Sequence, residues 1–507
     1  MRAAFACFAA LLAPVLATRP IIKPFGVKQR PHQNLDVVGS GVFEQPIDHK
    51  NASKGSFLQR YWWDARSWKG PGSPVFVFNP GETAADNYLG YLENYTVPGL
   101  YADTFGGAVI VIEHRYWGNS TPYDELTTET LQDLNIMQAA YDMTNFAKKV
   151  KLEFADNGGA NAQDAPWVLV GGSYSGALAA WTSQIDPGTY WAYHASSAVV
   201  EAIYNFWQYF VPIEESIPRN CSSDIKAVVN YVDYVLASGT EDDVCKLKEL
   251  FGLEMVEHND DFAEQITGPI WQWQGDEQAV FDFCDYVETY ASKGIVVSDH
   301  PGGIGLQGAI QGFAAYVNAT AGENCRASST NCSTYDDSIE WNEPEDLESG
   351  WRQWNWMLCD EPFAWWQTGP PESDGTNVVS TFLTPEHFQR QCELMFPEVN
   401  GQVAGSVLGF TVDHLNYYTG GWNADFERVL FCGGRKDPWL HATPSSSYRP
   451  DGPLESTADT PVFIIESGAH VPDLTIDDIS DEMAVIDQEI EVMRGWLDEW
   501  TETKRKA

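Results

Sequence analysis

The segment Ala165-Pro166-Trp167-Val168-Leu169-Val170-Gly171-Gly172-Ser173-Tyr174-Ser175-Gly176-Ala177-Leu178-Ala179-Ala180-Trp181 decides the fold. Trp167 to Val170 is a short, unbroken apolar run, as expected of a strand buried on both faces. Ala177 to Trp181 resumes helical character. Between them, Gly171, Gly172, Ser175 and Gly176 surround Ser173 with small residues. A sharp strand-to-helix turn that presents a serine hydroxyl needs such neighbours, because its backbone passes close to itself. The common pattern has glycine two residues after the serine. Here Ser175 stands there and Gly176 follows, so the steric requirement is still met. A glycine-rich turn can also be purely structural, so the rest of the chain must supply partners for Ser173.

Further out, Val75 to Phe78, ended by Asn79-Pro80-Gly81, and Gly107 to Ile112 read as two more buried strands. Thr130 to Phe154 carries apolar residues at helical spacing, with Lys148, Lys149 and Lys151 near its end, where cations suit the helix dipole. Apolar strands alternating with helices predict a parallel sheet covered on both faces. After Val200 the rhythm changes. Residues 201–415 hold seven cysteines, many aromatics and mostly helical stretches such as Asp224 to Ala237. Strand character returns at Arg428 to Phe431 and at Val462 to Ile465, and a last helix is expected from Asp478 to Glu502.

Two further loops follow predicted strands. Asp437 lies in Cys432-Gly433-Gly434-Arg435-Lys436-Asp437-Pro438-Trp439, and His470 in Glu466-Ser467-Gly468-Ala469-His470. Each alone reads as an ordinary turn residue. Together, the order Ser173, Asp437, His470, each just after a strand, is that of the α/β-hydrolases. The expectation is therefore an α/β fold. An α/β-hydrolase core in two parts, 18–200 and 416–507, carries a large, mostly helical cap, 201–415, inserted between the late core strands. The chemistry is acyl transfer: His470 takes the Ser173 proton as the hydroxyl attacks a carbonyl, and Asp437 orients the imidazole. An oxyanion hole needs two backbone donors. One is expected at Tyr174. The other is expected at Gly81 or Glu82, since Pro80 has no N–H.

Composition limits the setting. The 507 residues hold 30 Lys+Arg against 72 Asp+Glu, a net charge of −42, which excludes nucleic acid and anionic membranes as partners. Met1 to Ala17 has one charge, Arg2, then an apolar run closing on small residues, and reads as a signal peptide. Residues 18–40 read as a short arm or propeptide. Eight cysteines remain beyond Cys7 (Cys221, Cys245, Cys284, Cys325, Cys332, Cys359, Cys392 and Cys432), an even number that suggests disulfides in a secreted chain. Glycosylation acceptor patterns occur at Asn51, Asn94, Asn119, Asn220, Asn318 and Asn331. No zinc-type spacing is present, and neither a metal nor a cofactor is expected.

Four motifs resemble the prolyl carboxypeptidase and dipeptidyl-peptidase type of serine peptidases: Glu113-His114-Arg115-Tyr116-Trp117-Gly118, Gly171-Gly172-Ser173-Tyr174, Asp437-Pro438-Trp439 and Gly468-Ala469-His470. The elbow and Arg60-Tyr61-Trp62-Trp63 are similar to the secreted fungal acid prolyl endopeptidases. The resemblance spans about Phe43 to Trp500. It implies cleavage after proline in peptides or proteins, often at acid pH, outside the cell or in a vacuolar or lysosome-like compartment. After the histidine, Val471-Pro472-Asp473 departs from the family's usual second histidine or Cys-Ser. Proline has no ring donor, so its pocket must be a flat apolar slot. Trp439, Trp422 and Met357 are the expected walls. A histidine base working in acid needs nearby cations, and Arg435, Lys436 and His441 flank Asp437. Two other readings stand beside this one: a carboxylic-ester hydrolase on the same fold, and a catalytically idle binding protein. Endo- and exopeptidase action stay open.

Overall fold

The computed structural model describes residues 38–155, 158–292, 301–328, 330–335, 347, 350–371, 377–477 and 479–506. The expected signal peptide and most of the expected arm lie outside them. The strands are β1 (Val38–Pro46), β2 (Ser56–Asp64), β3 (Val75–Asn79), β4 (Ala108–Ile112), β5 (Trp167–Gly172), β6 (Ala192–Ser196), β7 (Ile203–Asn205), β8 (Ala364–Trp366), β9 (Val429–Gly434) and β10 (Val462–Ile465). Eight form one sheet in the order β1-β2-β4-β3-β5-β6-β9-β10. β2 is antiparallel to β1 and β4, and the other neighbours are parallel. This is an α/β-hydrolase sheet, as expected from the elbow and the residue order.

The central strands are buried along their length because both faces are covered. Val75, Val77, Ile110 and Leu169 point into one core, and Phe76, Phe78, Val109 and Val170 into the other, which the terminal helix Ser480–Lys506 covers with Ile486, Met493 and Trp496. The β1–β2 hairpin was not expected. Phe57, Gln59, Tyr61 and Trp63 alternate inward, but Gln59 at an inner position breaks the apolar pattern. Its amide donates to the Glu113 carbonyl at 2.7 Å, and Gln45 donates to its oxygen at 2.8 Å. The helix expected over 130–154 is shorter. Asn135 caps Ile136–Lys149 by accepting from the Gln138 N–H, and the flanks are 3₁₀ turns, Thr130–Asp133 and Glu153–Ala155.

Between β6 and β9 the chain leaves the sheet. The described residues there are mostly helical, with β7 and β8 pairing as a parallel two-stranded ribbon. Cys221–Cys284 joins helices Arg219–Ser238 and Glu277–Ser292, and Cys359–Cys392 joins Trp351–Asp360 and Pro385–Met395. Cys325–Cys332 closes a short loop. The even count does not mean complete pairing: Cys245 is an exposed free thiol and Cys432 a buried one. No helix among the described residues is long and apolar enough to cross a membrane.

Candidate active site

Ser173 links β5 to the helix Tyr174–Ile185, at φ 58° and ψ −125°. A side chain here is strained, and such strain persists only where the surroundings hold it. Its neighbours explain why they are small. A Cβ on Gly171 would lie 2.1 Å from the Ser175 carbonyl oxygen, and one on Gly172 would lie 2.8 Å from Val471 Cγ1. Ser175, where glycine is common, donates its hydroxyl to the Gly172 carbonyl at 2.8 Å and closes the turn. Ser173 donates its N–H to the Ser196 carbonyl at the end of β6, at 2.9 Å.

Asp437 follows β9 and is fully buried. Its Oδ1 is 2.8 Å from His470 Nδ1 and also accepts the Trp439 N–H at 2.9 Å. His470 follows β10 and is 5% exposed. Its Nε2 is buried and has no hydrogen-bond partner among the described residues. The next residue, Val471, donates its N–H to Ser197 Oγ at 2.9 Å. Consecutive residues at the end of β6 thus hold the Ser173 elbow and the His470 loop. The cations expected around Asp437 are engaged elsewhere. Arg435 pairs with Glu466 at 3.0 Å, and Lys436 Nζ lies 3.6 Å from Glu277. Burial pushes His441 down to about 4, so it is neutral above that pH.

The Tyr174 N–H opens its helix, where the backbone ladder offers no acceptor. Gly81, one of the two residues expected to give the second donor, already donates its N–H to Asn79 Oδ1 at 3.0 Å. The N–H of Glu82 remains, with the Glu82 carboxyl folded back onto it. Burial pushes that carboxyl up to about 7, against the opposing pull of its own N–H and of His470. The motif at 113–118 buttresses this loop. Glu113 accepts from Arg60 Nε at 2.8 Å and from the Ala85 N–H at 3.0 Å, and His114 Nε2 lies 3.0 Å from the Tyr174 hydroxyl.

The sequence profile of serine carboxypeptidase S28 matches residues 45–489. The chain belongs to the serine carboxypeptidase S28 family. It is thus a member of a family of serine peptidases. Two relatives from Bipolaris victoriae carry the names serine protease vicPa and serine protease vicPb. The first is 36% identical over 457 residues, covering 86% of this chain and 84% of its own. The second is 35% identical over 473 residues, covering 90% and 88%. "Probable extracellular serine carboxypeptidase" of Arthroderma benhamiae is 26% identical and covers 86% of this chain and 66% of its own.

Of the residues expected to line the S28 chain's pocket, Trp439 is beside the histidine, with ring centroids 6.4 Å apart. Phe206, Tyr209 and Trp365 surround it at 5.6, 5.4 and 5.8 Å. Phe206 and Tyr209 were not anticipated, although the aromatic run Phe206-Trp207-Gln208-Tyr209-Phe210 was visible. The 3₁₀ turn Gln272–Gln274 docks here too: Gln274 Oε1 accepts from Trp439 Nε1 at 2.9 Å, and Trp273 Nε1 donates to the Lys436 carbonyl at 3.0 Å. Trp422 stands one layer out, donating Nε1 to the Thr443 carbonyl at 2.9 Å. Met357 is a correction: its helix turns it into the core with 0% exposure, so it offers a ligand no surface. Among the acceptor asparagines, Asn51, Asn94, Asn119 and Asn331 are exposed. Asn220 and Asn318 are half-buried, bonded to Glu288 and Arg326.

Proposed function

We propose that the chain is a secreted serine peptidase that hydrolyses peptide bonds on the C-terminal side of proline. The observation that carries the reading is the ring of His470: Asp437 takes one nitrogen at 2.8 Å, and the other is buried and unpartnered, on a loop whose next residue, Val471, packs against Gly172 of the serine elbow. In this reading His470 Nε2 takes the Ser173 proton as Oγ attacks the carbonyl carbon, and returns it to the leaving amine. The acyl-enzyme is then cleaved by water activated in the same way. Asp437 keeps Nδ1 protonated and the ring oriented. The N–H groups of Tyr174 and Glu82 receive the oxyanion. Trp439, 7% exposed beside His470, offers its ring to a flat group with no donor of its own, and the buried rings of Phe206, Tyr209 and Trp365 hold it in place. Residues 201–415 act as the cap above them. Three disulfides and the leader-like Met1 to Ala17 support secretion, with sugars on Asn51, Asn94, Asn119 and Asn331.

One assay tests this. Chromogenic peptides with proline or alanine before the scissile bond, with free or blocked ends, are compared with a simple ester for the native enzyme and Ser173→Ala. Proline peptides should be cleaved and the variant should be inert. Turnover of the ester alone would overturn the peptidase reading. Blocked against free ends decides endo- or exopeptidase action.

A further inference from the structure

The loop carrying His470 has a second anchor, and it is buried. Asp473, three residues beyond the histidine, is 0% exposed. Its Oδ2 is 2.6 Å from His194 Nε2, and its Oδ1 accepts from the Ser196 hydroxyl. His194 and Ser196 both belong to β6. On the far side of the imidazole, the Tyr101 hydroxyl is 2.9 Å from His194 Nδ1. Burial works against a charged His194, but the carboxylates of Glu489 and Asp473 outweigh it, and its pKa is raised. Asp473 therefore meets an imidazole and a hydroxyl on one strand.

That strand also holds the nucleophile elbow, since the Ser196 carbonyl accepts the Ser173 N–H at 2.9 Å. Ser196 thus touches both loops, one with its side chain and one with its main chain. The histidine loop needs restraint. Val471 has φ 51°, in the left-handed region where a β-branched residue is a clear outlier. Strain of this kind survives only when contacts on both sides over-determine it. On one side Val471 itself is held by Ser197 Oγ at 2.9 Å. On the other are Asp473 and the Leu474 carbonyl, which accepts the Val97 N–H at 3.1 Å.

We propose that Asp473 is a positioning residue: its carboxylate, shared between His194 and Ser196, sets how deep the His470 loop sits against β6 and so fixes the separation of His470 Nε2 and Ser173 Oγ. The inference rests on the reading of Ser173, Asp437 and His470 as a triad. Without the carboxylate, Val471 relaxes toward ordinary backbone angles and carries the imidazole with it. A displacement near 1 Å at a reacting group costs about a hundredfold in rate. Trp439, Phe206, Tyr209 and Trp365 all come from segments other than this loop, so substrate binding should change little.

The test uses Asp473→Ala, Asp473→Asn and Ser196→Ala, with active sites counted by a serine-directed phosphonate. Asp473→Ala should lose about a hundredfold in kcat per titrated site with KM within about twofold, and should react with the phosphonate slower in proportion. Asp473→Asn can still accept from Ser196 and face His194, and should recover most of the loss. If Asp473→Ala does not fold, Ser196→Ala carries the test with about a tenfold loss in kcat. Unchanged kcat per titrated site in the variants that fold, or a loss confined to KM, would overturn the proposal. Activity surviving in Ser173→Ala would instead remove the triad reading beneath it.

Discussion

Gly81 donates its backbone N–H to the Asn79 side chain at 3.0 Å. In the proposed mechanism the second oxyanion donor is thereby left to Glu82, whose carboxyl lies against its own N–H and is pushed by burial up to about 7. The sign follows. The group is neutral below about 7. Above it, a carboxylate competes for the donor and repels the developing oxyanion. Activity should fall as pH rises through about 7, and Glu82→Gln should keep kcat/KM level across that range. A kcat/KM profile of both forms from pH 4 to 9 checks this, and an unmoved alkaline limb in the variant would sink it. Because the folded value is raised, Glu82 also contributes stability that is complete below its ordinary carboxylate value and is lost as pH rises through about 7.

Asp437→Asn preserves shape but offers an amide where His470 Nδ1 needs an acceptor. kcat should drop by about 10³ to 10⁴ with little change in KM, because the ring is then held in the wrong tautomer. Steady-state kinetics on a proline peptide, at a pH where the native enzyme is fully active, reads this directly.

Trp439→Ala removes the ring proposed to meet the substrate proline, whose centroid lies 6.4 Å from that of His470. Lost ring contacts should lower kcat/KM for a proline substrate by about 10- to 100-fold, and for an alanine analogue by much less. The measured quantity is the proline-to-alanine ratio. Equal losses on both substrates would mean the ring does not read proline.

Arg115 is fully buried and grips Asp142 with two nitrogens, at 2.6 and 2.8 Å, while Nη1 donates to the carbonyls of Ile47 and Asp133. Arg115→Leu strands a buried carboxylate and should cost about 3–5 kcal/mol of stability, measured by denaturant unfolding. Burial raises the Asp142 carboxyl, but Arg115 and His49 more than offset it, and its pKa is lowered. The stability it contributes is therefore present above the ordinary carboxylate value and lost as pH falls through the folded one. The clasp is suited to moderate acid.

Cys245 is exposed and Cys432 buried, neither in a disulfide. A thiol reagent should modify Cys245 quickly in the folded molecule and Cys432 only on unfolding. Cys245→Ser should abolish the fast phase.

The core strands could be read because Val75 to Phe78, Trp167 to Val170 and Val462 to Ile465 are apolar without interruption. The hairpin could not: its inward positions include Gln45 and Gln59, polar residues satisfied by partners far along the chain. Asn135 reads as one more polar residue in a periodic run until its capping bond shows that the helix begins there. Ser173, Asp437 and His470 stand out through their places after strands. Asp473 does not, because its partners are 279 and 277 residues away and no local spacing points to them. Nearness to Asp437 in sequence puts Trp439 near His470 in space, whereas Met357 rested on residue type alone, and its helix faces it inward.

The insertion between β6 and β9 has a consequence for synthesis. Asp437 trails Ser173 by 264 positions along the chain, and His470 trails Asp437 by 33. In the proposed mechanism, a ribosome that has released the elbow and everything up to β9 has still made a polypeptide with a nucleophile and no base. Such a chain cannot cut its neighbours or itself while it waits. On that reading the order of the parts acts as a safety catch during synthesis.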